Sequence, residues 1–372
     1  MPVGVYVHVP FCASRCDYCD FATWTDRAHV IDDYVDACIA DVGRWRRVGL
    51  PAVDTVFFGG GTPSLLPPGR LEAILAAVPR AAGAEVTVEC NPDALSPEQL
   101  ASFRAAGVTR LSIGVQSFAS HVLDALGRTH DPGNVRRAFA WARDAGFEHL
   151  NADLIYGTPG ESAADWMATL DAVLALAPDH VSCYALTVES GTPLGRMVAA
   201  GARSAPDDDT QADRYAAADE RLGAAGLSWY EISNWARPGG ECRHNVGYWR
   251  GADYVAIGCA SHGHVRGRRW WNVRTPERYV ERITVGDSPE AGGEELGGGA
   301  RRDEAWALEL RTRWGASAAG LEPVALGELT AAGLVEHGGK RVVLTRRGRL
   351  LATDVTARLL AGRALALSRL EC

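Results

Sequence analysis

The first half of the chain alternates short β-rich runs with segments of helical period, and that alternation limits the folds open to it. The β-rich runs cover residues 3–9, 53–58, 85–90, 110–115, 149–155 and 179–187, each rich in Val, Ile, Phe or Tyr. Between them, residues 31–48, 71–78, 97–106, 134–145 and 163–176 carry Ala and Leu at helical spacing. Ser96-Pro97 sets a capping residue before a first-turn proline, and Asp32 or Asp33 is placed to cap ahead of Tyr34. Such alternation predicts an α/β fold with a parallel sheet wrapped by helices. An open twisted sheet and a partial barrel satisfy it equally, and in both the loops at the strands' carboxyl ends carry function.

From about residue 206 the regularity fades. An Asp-rich turn (Asp207-Asp208-Asp209) leads into one long helix to about Ala225 and an aromatic-rich stretch to about Asn272. The Gly-rich residues 292–299 read as a flexible surface loop or linker. Helices are expected over 303–312 and 326–332, and a hairpin over 334–344. The expected division is a core domain over residues 1–230 and a smaller α+β region over 231–372 with a winged-helix-like end. That end lacks a basic recognition helix and reads as a lid or partner surface.

Composition narrows the function classes. At 47% hydrophobic and 23% charged residues the chain is neither disordered nor collagen-like, and its net charge of −8 gives no electrostatic reason to expect nucleic acid. No segment offers about 18 uninterrupted apolar residues and the N-terminus lacks a signal pattern, so no integral membrane segment is expected and the chain is placed in the cytoplasm. Its nine cysteines are an odd number in a reducing compartment, which argues against a disulfide framework. Cys38, Cys90, Cys183, Cys242, Cys259 and Cys372 are scattered singly.

The other three crowd together. Cys12-Ala-Ser-Arg-Cys16-Asp-Tyr-Cys19 follows the first expected strand, so one loop gathers three thiols. Thiolates so placed hold a metal or an iron–sulfur cluster. A structural zinc needs a fourth ligand, for which Asp17, Asp20 and His8 are the weaker local candidates. Three ligands on a cubane leave one iron open to a chelating substrate.

This CxxxCxxC spacing, with Tyr6-Val-His-Val-Pro-Phe11 before it and Tyr18 just ahead of its last cysteine, resembles the radical S-adenosylmethionine (SAM) enzymes. The resemblance implies a partial (β/α)6 barrel with a [4Fe–4S] cluster on Cys12, Cys16 and Cys19. In that family the cluster chelates the methionine end of SAM and passes it an electron, generating a 5′-deoxyadenosyl radical, while the protein supplies orientation and exclusion of water. Further motifs fit the same family. Gly59-Gly60-Gly61-Thr62 follows the second strand, where bare backbone N–H groups can approach the SAM amino group. Glu89 closes the third strand and is suited to accept from ribose hydroxyls. Gln116, Arg128 and Asp153 stand at or after later strands and either clamp a charged ligand or brace the fold. With Tyr6, Tyr18 and, less closely, Ala185, they match SAM-contacting positions of the oxygen-independent coproporphyrinogen III oxidase-like branch.

Two groups share that core. The oxidase decarboxylates two propionates of coproporphyrinogen III; the HemW-type haem chaperones bind haem and deliver it to respiratory haem proteins. Three features favour the chaperones. Asp20-Phe21 follows Cys19 where the oxidase has a further cysteine two residues on. The chain begins only eleven residues before Cys12, without the oxidase's longer N-terminal segment. Finally, His244-Asn245-Val-Gly-Tyr248-Trp249 matches the HNxxYW element associated with haem binding, with neutral imidazole as the axial ligand and the aromatics as cover for the macrocycle. Cys242 and the histidines of Cys259-Ala260-Ser261-His262-Gly263-His264 remain as alternative ligands, and a hydrogen-bonded core role remains open for His244. The expected partners are therefore haem and a recipient respiratory protein, any membrane contact coming through that recipient. The resemblance also allows a homodimer that depends on the cluster. Oxidase activity is the alternative function.

Overall fold

In the computed structural model, which describes residues 3–319 and 321–360, the β-rich runs form six parallel strands: β1 (Val3–Val9), β2 (Val53–Gly60), β3 (Arg80–Cys90), β4 (Arg110–Gln116), β5 (His149–Tyr156) and β6 (His180–Ala185). They lie side by side in chain order. That order separates the two candidate architectures. A doubly wound open sheet reverses its strand order at a switch point. A monotonic order with right-handed crossovers sends every connecting helix to the same face, and the sheet curls round until its bare face is enclosed. The fold is the partial (β/α)6 barrel.

Side-chain alternation follows from that curvature. Val5, Val7 and Val9 of β1, Val56 and Phe58 of β2, Val86 and Val88 of β3, and Leu111, Ile113 and Val115 of β4 all belong to one buried apolar core beneath the helices. Each such side chain contributes roughly 1.5–3 kcal/mol on burial. The intervening residues share the opposite face, and there the chemistry is polar: Tyr6 and His8, Thr55, Glu85 and Glu89, Arg110 and Ser112, Asn151 and Asp153, His180 and Ser182. Parallel strands usually read as continuous apolar runs. These alternate because the lumen they enclose is lined with polar groups.

The helices between the strands are Ile31–Arg47, Arg70–Ala77, Pro97–Ala106, Pro132–Asp144 and Ala163–Leu174. Ser96 caps as expected, accepting from the Gln99 backbone N–H at 3.2 Å. Asp32 and Asp33 do not cap; Val30 holds that position, and the two acids sit in the first turn, where carboxylates oppose the positive helix end.

The sheet continues beyond the barrel at both edges. β6 is followed across the sheet by antiparallel β8 (Asn234–Ala236) and then β7 (Ser228–Glu231). On the other side, β9 (Asp253–Ile257) runs parallel to β1, and β10 (His262–Val265), β11 (Arg268–Asn272) and β12 (Glu290–Glu295) extend it antiparallel. The expected division near residue 230 thus falls within β7, and later strands belong to the first sheet. A separate apolar core unites Leu310, Val335, Val342, Leu344, Val355 and Leu359 around a three-stranded sheet of Ala316–Ser317, Val335–Gly338 and Arg341–Leu344.

The Gly-rich residues 292–299 are not a linker: they complete β12 and begin the helix Gly298–Leu310. Gly292 pairs with Trp271, and a Cβ on it would lie 2.6 Å from the Trp271 ring, so the glycine makes room for an aromatic on the neighbouring strand. Cys372 lies outside the described residues. No helix among the described residues is long and apolar enough to cross a membrane.

Candidate functional site

The three crowded cysteines leave the carboxyl end of β1 on a loop pinned at its neck. Trp24 N–H donates to Pro10 O at 2.8 Å and Cys12 N–H to Trp24 O at 3.0 Å, while Cys19 N–H turns back onto Cys16 O at 3.2 Å. Asp17 ties the loop to the rest of the barrel, donating to Leu126 O and accepting from Leu194 N–H. All three thiols are unpaired and half-buried. Burial pushes the Cys12 and Cys19 thiols above their usual range, and the other cysteines of the loop push further in the same direction. Thiols so placed release their protons to a strongly cationic partner.

Among the described residues no three His, Cys, Asp or Glu side chains converge as a ready-made cage for a single ion. The fit to a cluster rests on the donor set and its cradle. Thr62 Oγ1 approaches Cys12 Sγ at 3.8 Å. Gly61 lies so close beneath that a Cβ would meet Phe11 O at 2.7 Å, Val9 O at 2.8 Å and Cys12 Sγ at 3.0 Å. Gly60 adopts φ 107°, and a Cβ there would meet the His8 ring at 2.4 Å. Only glycines let this loop lie against the cysteines.

From the glycines the site continues into the lumen. Gly60 N–H donates to Glu89 Oε2 at 3.0 Å. The Glu89 carboxyl faces the lumen rather than bulk solvent; burial, and after it the charge of Asp153, pushes it up to about 8. Asp153 is likewise raised by burial, and it accepts from Ser112 Oγ at 2.6 Å and Asn151 Nδ2 at 2.8 Å. Tyr6 borders the same space, its hydroxyl 3.2 Å from His8 Nδ1 and its ring beside Gly59.

A second arm reaches Cys16. Arg128 Nη1 donates to Cys16 Sγ at 3.5 Å, Nη2 to Gly114 O at 2.9 Å, and Nε to His130 Nδ1 at 3.3 Å. The Tyr18 hydroxyl is pushed up by burial first and by Cys16 second. Gln116 is buried with the positive φ of 61°, a conformation that costs a non-glycine residue roughly 1–3 kcal/mol, and it stands with Arg128 over Gly114. The structure therefore gathers Cys12, Cys16, Cys19, Tyr6, Tyr18, Gly60, Gly61, Thr62, Glu89, Gln116, Arg128 and Asp153 around one end of the lumen. Ala185 ends β6 with its side chain exposed, paired in register with Tyr156.

His244 is not among them. It sits on the helix Arg243–Trp249 against the starts of β1 and β2, where a Cβ on Gly4 would meet its ring at 3.1 Å. Nδ1 hydrogen-bonds with Thr55 Oγ1 and Nε2 with the Tyr248 hydroxyl, both at 2.8 Å, and the ring stacks on Phe57 at 5.2 Å. Burial lowers its pKa to about 3. Both nitrogens are committed within the protein, so iron ligation by His244 requires Tyr248 or Thr55 to let go. Glu85 holds the helix start, accepting from Arg243 N–H at 3.1 Å and His244 N–H at 3.0 Å. Sequence reasoning assigned Glu85 to a strand and nothing more.

Beside that helix opens a cleft of about 410 Å³. Tyr248 and Trp249 line it with Tyr184 of β6 on one side and Tyr254, His264 and Arg269 of β9, β10 and β11 on the other. Sequence reasoning did not single out Tyr184 and Tyr254. Period-2 registers across β9 to β11 are the signal that places the latter strands' residues together.

Residues 6–173 match the profile of the Radical SAM superfamily. The cysteine loop, the glycine turn and the polar lumen of a partial barrel together define that class. Full-length relatives narrow it. The chain is 47% identical over 370 residues to the heme chaperone HemW of Mycobacterium tuberculosis, covering 96% of this chain and 95% of that one. It is 32% identical to heme chaperone HemW of Bacillus subtilis, covering 95% and 97% respectively. The chain belongs to the HemW family of radical SAM proteins. Among solved structures, coproporphyrinogen III oxidase (HemN) of Escherichia coli superposes with a TM-score of 0.81 over 96% of this chain and 90% of that one, at 23% identity. At that identity the likeness is one of fold.

Proposed function

We propose that this protein is a haem chaperone: it binds haem and hands it to respiratory haem proteins, working in the cytoplasm with a [4Fe–4S] cluster and SAM in its barrel. The observation that carries this reading is the near full-length identity to heme chaperone HemW of M. tuberculosis. Cys12, Cys16 and Cys19 are the residues to hold the cluster, and Gly60, Gly61, Thr62, Glu89, Gln116, Arg128 and Asp153 those to hold SAM. Bound there, the pair supplies one-electron chemistry. The chain's own part is to orient the ligand and keep the lumen closed to bulk water: the glycine loop offers backbone N–H groups, Glu89 and Asp153 offer acceptors, and Arg128 fixes the loop carrying Cys16.

Haem is cargo, and its site is proposed in the region of residues 231–372 that carries Tyr248 and Trp249. Aromatic faces suit a porphyrin, since they bury area without unpaired polar atoms. The test is a haem titration of the anaerobically reconstituted full chain, read by absorption and run beside an assay for conversion of coproporphyrinogen III. Saturable one-to-one haem binding without conversion supports the chaperone reading. Conversion with SAM and reductant, or failure of the cluster-loaded protein to bind haem, overturns it.

A further inference from the structure

We infer that the axial ligand to haem is His264, with the macrocycle lying in the cleft between Tyr248 and Trp249 on one side and β9–β11 on the other. The inference rests on the haem-chaperone reading and deepens it by assigning the iron ligand. Four observations carry it.

First, the cleft has the size of a ligand site, about 410 Å³, and its walls come from both ends of the incomplete barrel. It is the gap the sheet leaves where it fails to close. The helix Gly298–Leu310 supplies the remaining wall through Glu304 and Leu308.

Second, the strand register sets the reactive groups in one row. Gly4 pairs with Tyr254, Tyr254 with His264, and His264 with Arg269. Paired residues point to the same face of a sheet. Tyr254, His264 and Arg269 therefore present side chains into the cleft together, with Tyr254 and His264 ring centroids 6.2 Å apart. Arg269 is fixed there by ion pairs to Glu294 and Glu304.

Third, the imidazole of His264 is set up as a ligand. Its Nδ1 lies 3.3 Å from Ala252 O. A carbonyl oxygen only accepts, so Nδ1 carries the proton and Nε2 keeps its lone pair. Metal-binding histidines hold their second nitrogen in this way, the backbone contact fixing tautomer and ring orientation. His262, the other histidine of β10, is not in the cleft lining and tilts against Trp271 with ring centroids 6.1 Å apart.

Fourth, His244 is spent elsewhere. With Nδ1 on Thr55 and Nε2 on Tyr248 it offers iron no lone pair. It acts instead as a positioning residue: by fixing the Tyr248 hydroxyl it sets the angle of the aromatic ring that walls the cleft. Tyr248 in turn meets Tyr254 edge to face, centroids 4.6 Å apart. The histidine and aromatics of one sequence element thus divide two tasks, and the iron ligand comes from the neighbouring hairpin.

The experiment is a haemin titration of the full chain, comparing wild type with His264→Ala and His244→Gln by absorption and electron paramagnetic resonance. Expected is saturable binding by wild type, at least about tenfold weaker binding with an altered Soret band for His264→Ala, and recovery of the wild-type spectrum when imidazole is added to that variant. His264 is partly exposed on a hairpin, and rescue by imidazole requires a folded cleft. His244→Gln keeps the histidine-ligated spectrum, with its affinity changed only as Tyr248 shifts. An unchanged His264→Ala spectrum overturns the inference while haem binding stands, as does loss of the histidine-ligated signal in His244→Gln alone. If wild type itself fails to bind haemin, the chaperone reading and the inference fall together.

Discussion

The backbone N–H of Gly60 donates to Glu89 Oε2 at 3.0 Å, tying the glycine turn after β2 to the acid that ends β3. The bond stabilises the carboxylate form, but burial and Asp153 outweigh it and leave the carboxyl near 8. In the unfolded chain the same group ionises near 4.5. The folded protein keeps the proton longer, so the contribution is full below about pH 4.5 and is lost as pH rises through about 8. Urea unfolding of the ligand-free protein is expected to show wild type losing stability relative to Glu89→Gln across that window, the difference between the two changing by roughly 2–4 kcal/mol after allowance for water in the lumen. Parallel pH profiles for the two proteins would remove this account of Glu89.

Gly61 offers a cleaner steric test. A methyl group there meets two backbone carbonyl oxygens at 2.7 and 2.8 Å and Cys12 Sγ at 3.0 Å, and backbone cannot swing aside as a flexible side chain does. Gly61→Ala is expected to cost about 1–3 kcal/mol and to lower iron and sulfide content after anaerobic reconstitution. Gly223→Ala is the control, because nothing beyond its own helix backbone and chain neighbours lies within 4 Å of its Cβ position and it sits inside the helix Asp208–Ala224. There alanine should leave iron loading unchanged and add up to about 1 kcal/mol of stability. Equal iron loading in both variants would mean that the close approach of Gly61 to Cys12 is unimportant.

Arg128 places a guanidinium nitrogen 3.5 Å from Cys16 Sγ. Reduction adds negative charge to a thiolate-bound cluster, and a fixed cation beside one thiolate favours the reduced form. Arg128→Gln should therefore lower the midpoint potential, by tens of millivolts, in a redox titration followed by electron paramagnetic resonance. Arg128→Lys keeps the charge but loses the fork that also grips Gly114 O, and an intermediate potential is expected. A purely structural role would lower thermal stability in both variants and leave the potential where it was.

The alternation of strands and helices was legible because the chain carries two periods in turn, two residues in its strands and about 3.6 in its helices. Apolar residues such as Val5, Val7 and Val9 recur every second position, and Ser96-Pro97 announces a helix that runs over the expected residues. Strand order was not legible, since periodicity reports which face is buried and says nothing of neighbours. Cys12, Cys16, Cys19 and Gly61 are contiguous with their strands, so short-range spacing found them. The Gly-rich residues 292–299 misled, because the glycines answer to Trp271 on another strand, a contact invisible along the chain. His244 shows the same limit: the motif names the residue, but Thr55, almost two hundred positions away, decides what its ring can do.

That contact has a measurable consequence in acid. Burial holds His244 near pKa 3, whereas the unfolded chain takes up the proton near 6.5. The folded pKa is depressed, so the stabilising contribution is present above about pH 6.5 and is lost progressively as pH falls toward 3. His8 and His130, each lowered to about 4 mainly by burial, act in the same direction. Between about pH 6.5 and 4 wild type should therefore lose stability relative to His244→Gln, by up to about 1.4 kcal/mol per pH unit for the missing proton. At neutral pH the variant pays differently, since glutamine cannot reach both Thr55 and Tyr248, and leaving one unpaired costs about 1–3 kcal/mol. The two unfolding curves should accordingly converge as the solution is acidified. If they stay the same distance apart from neutral pH to about pH 4, the imidazole takes up its proton in the folded protein as readily as in the unfolded chain, and its burial against Phe57 is not what governs it.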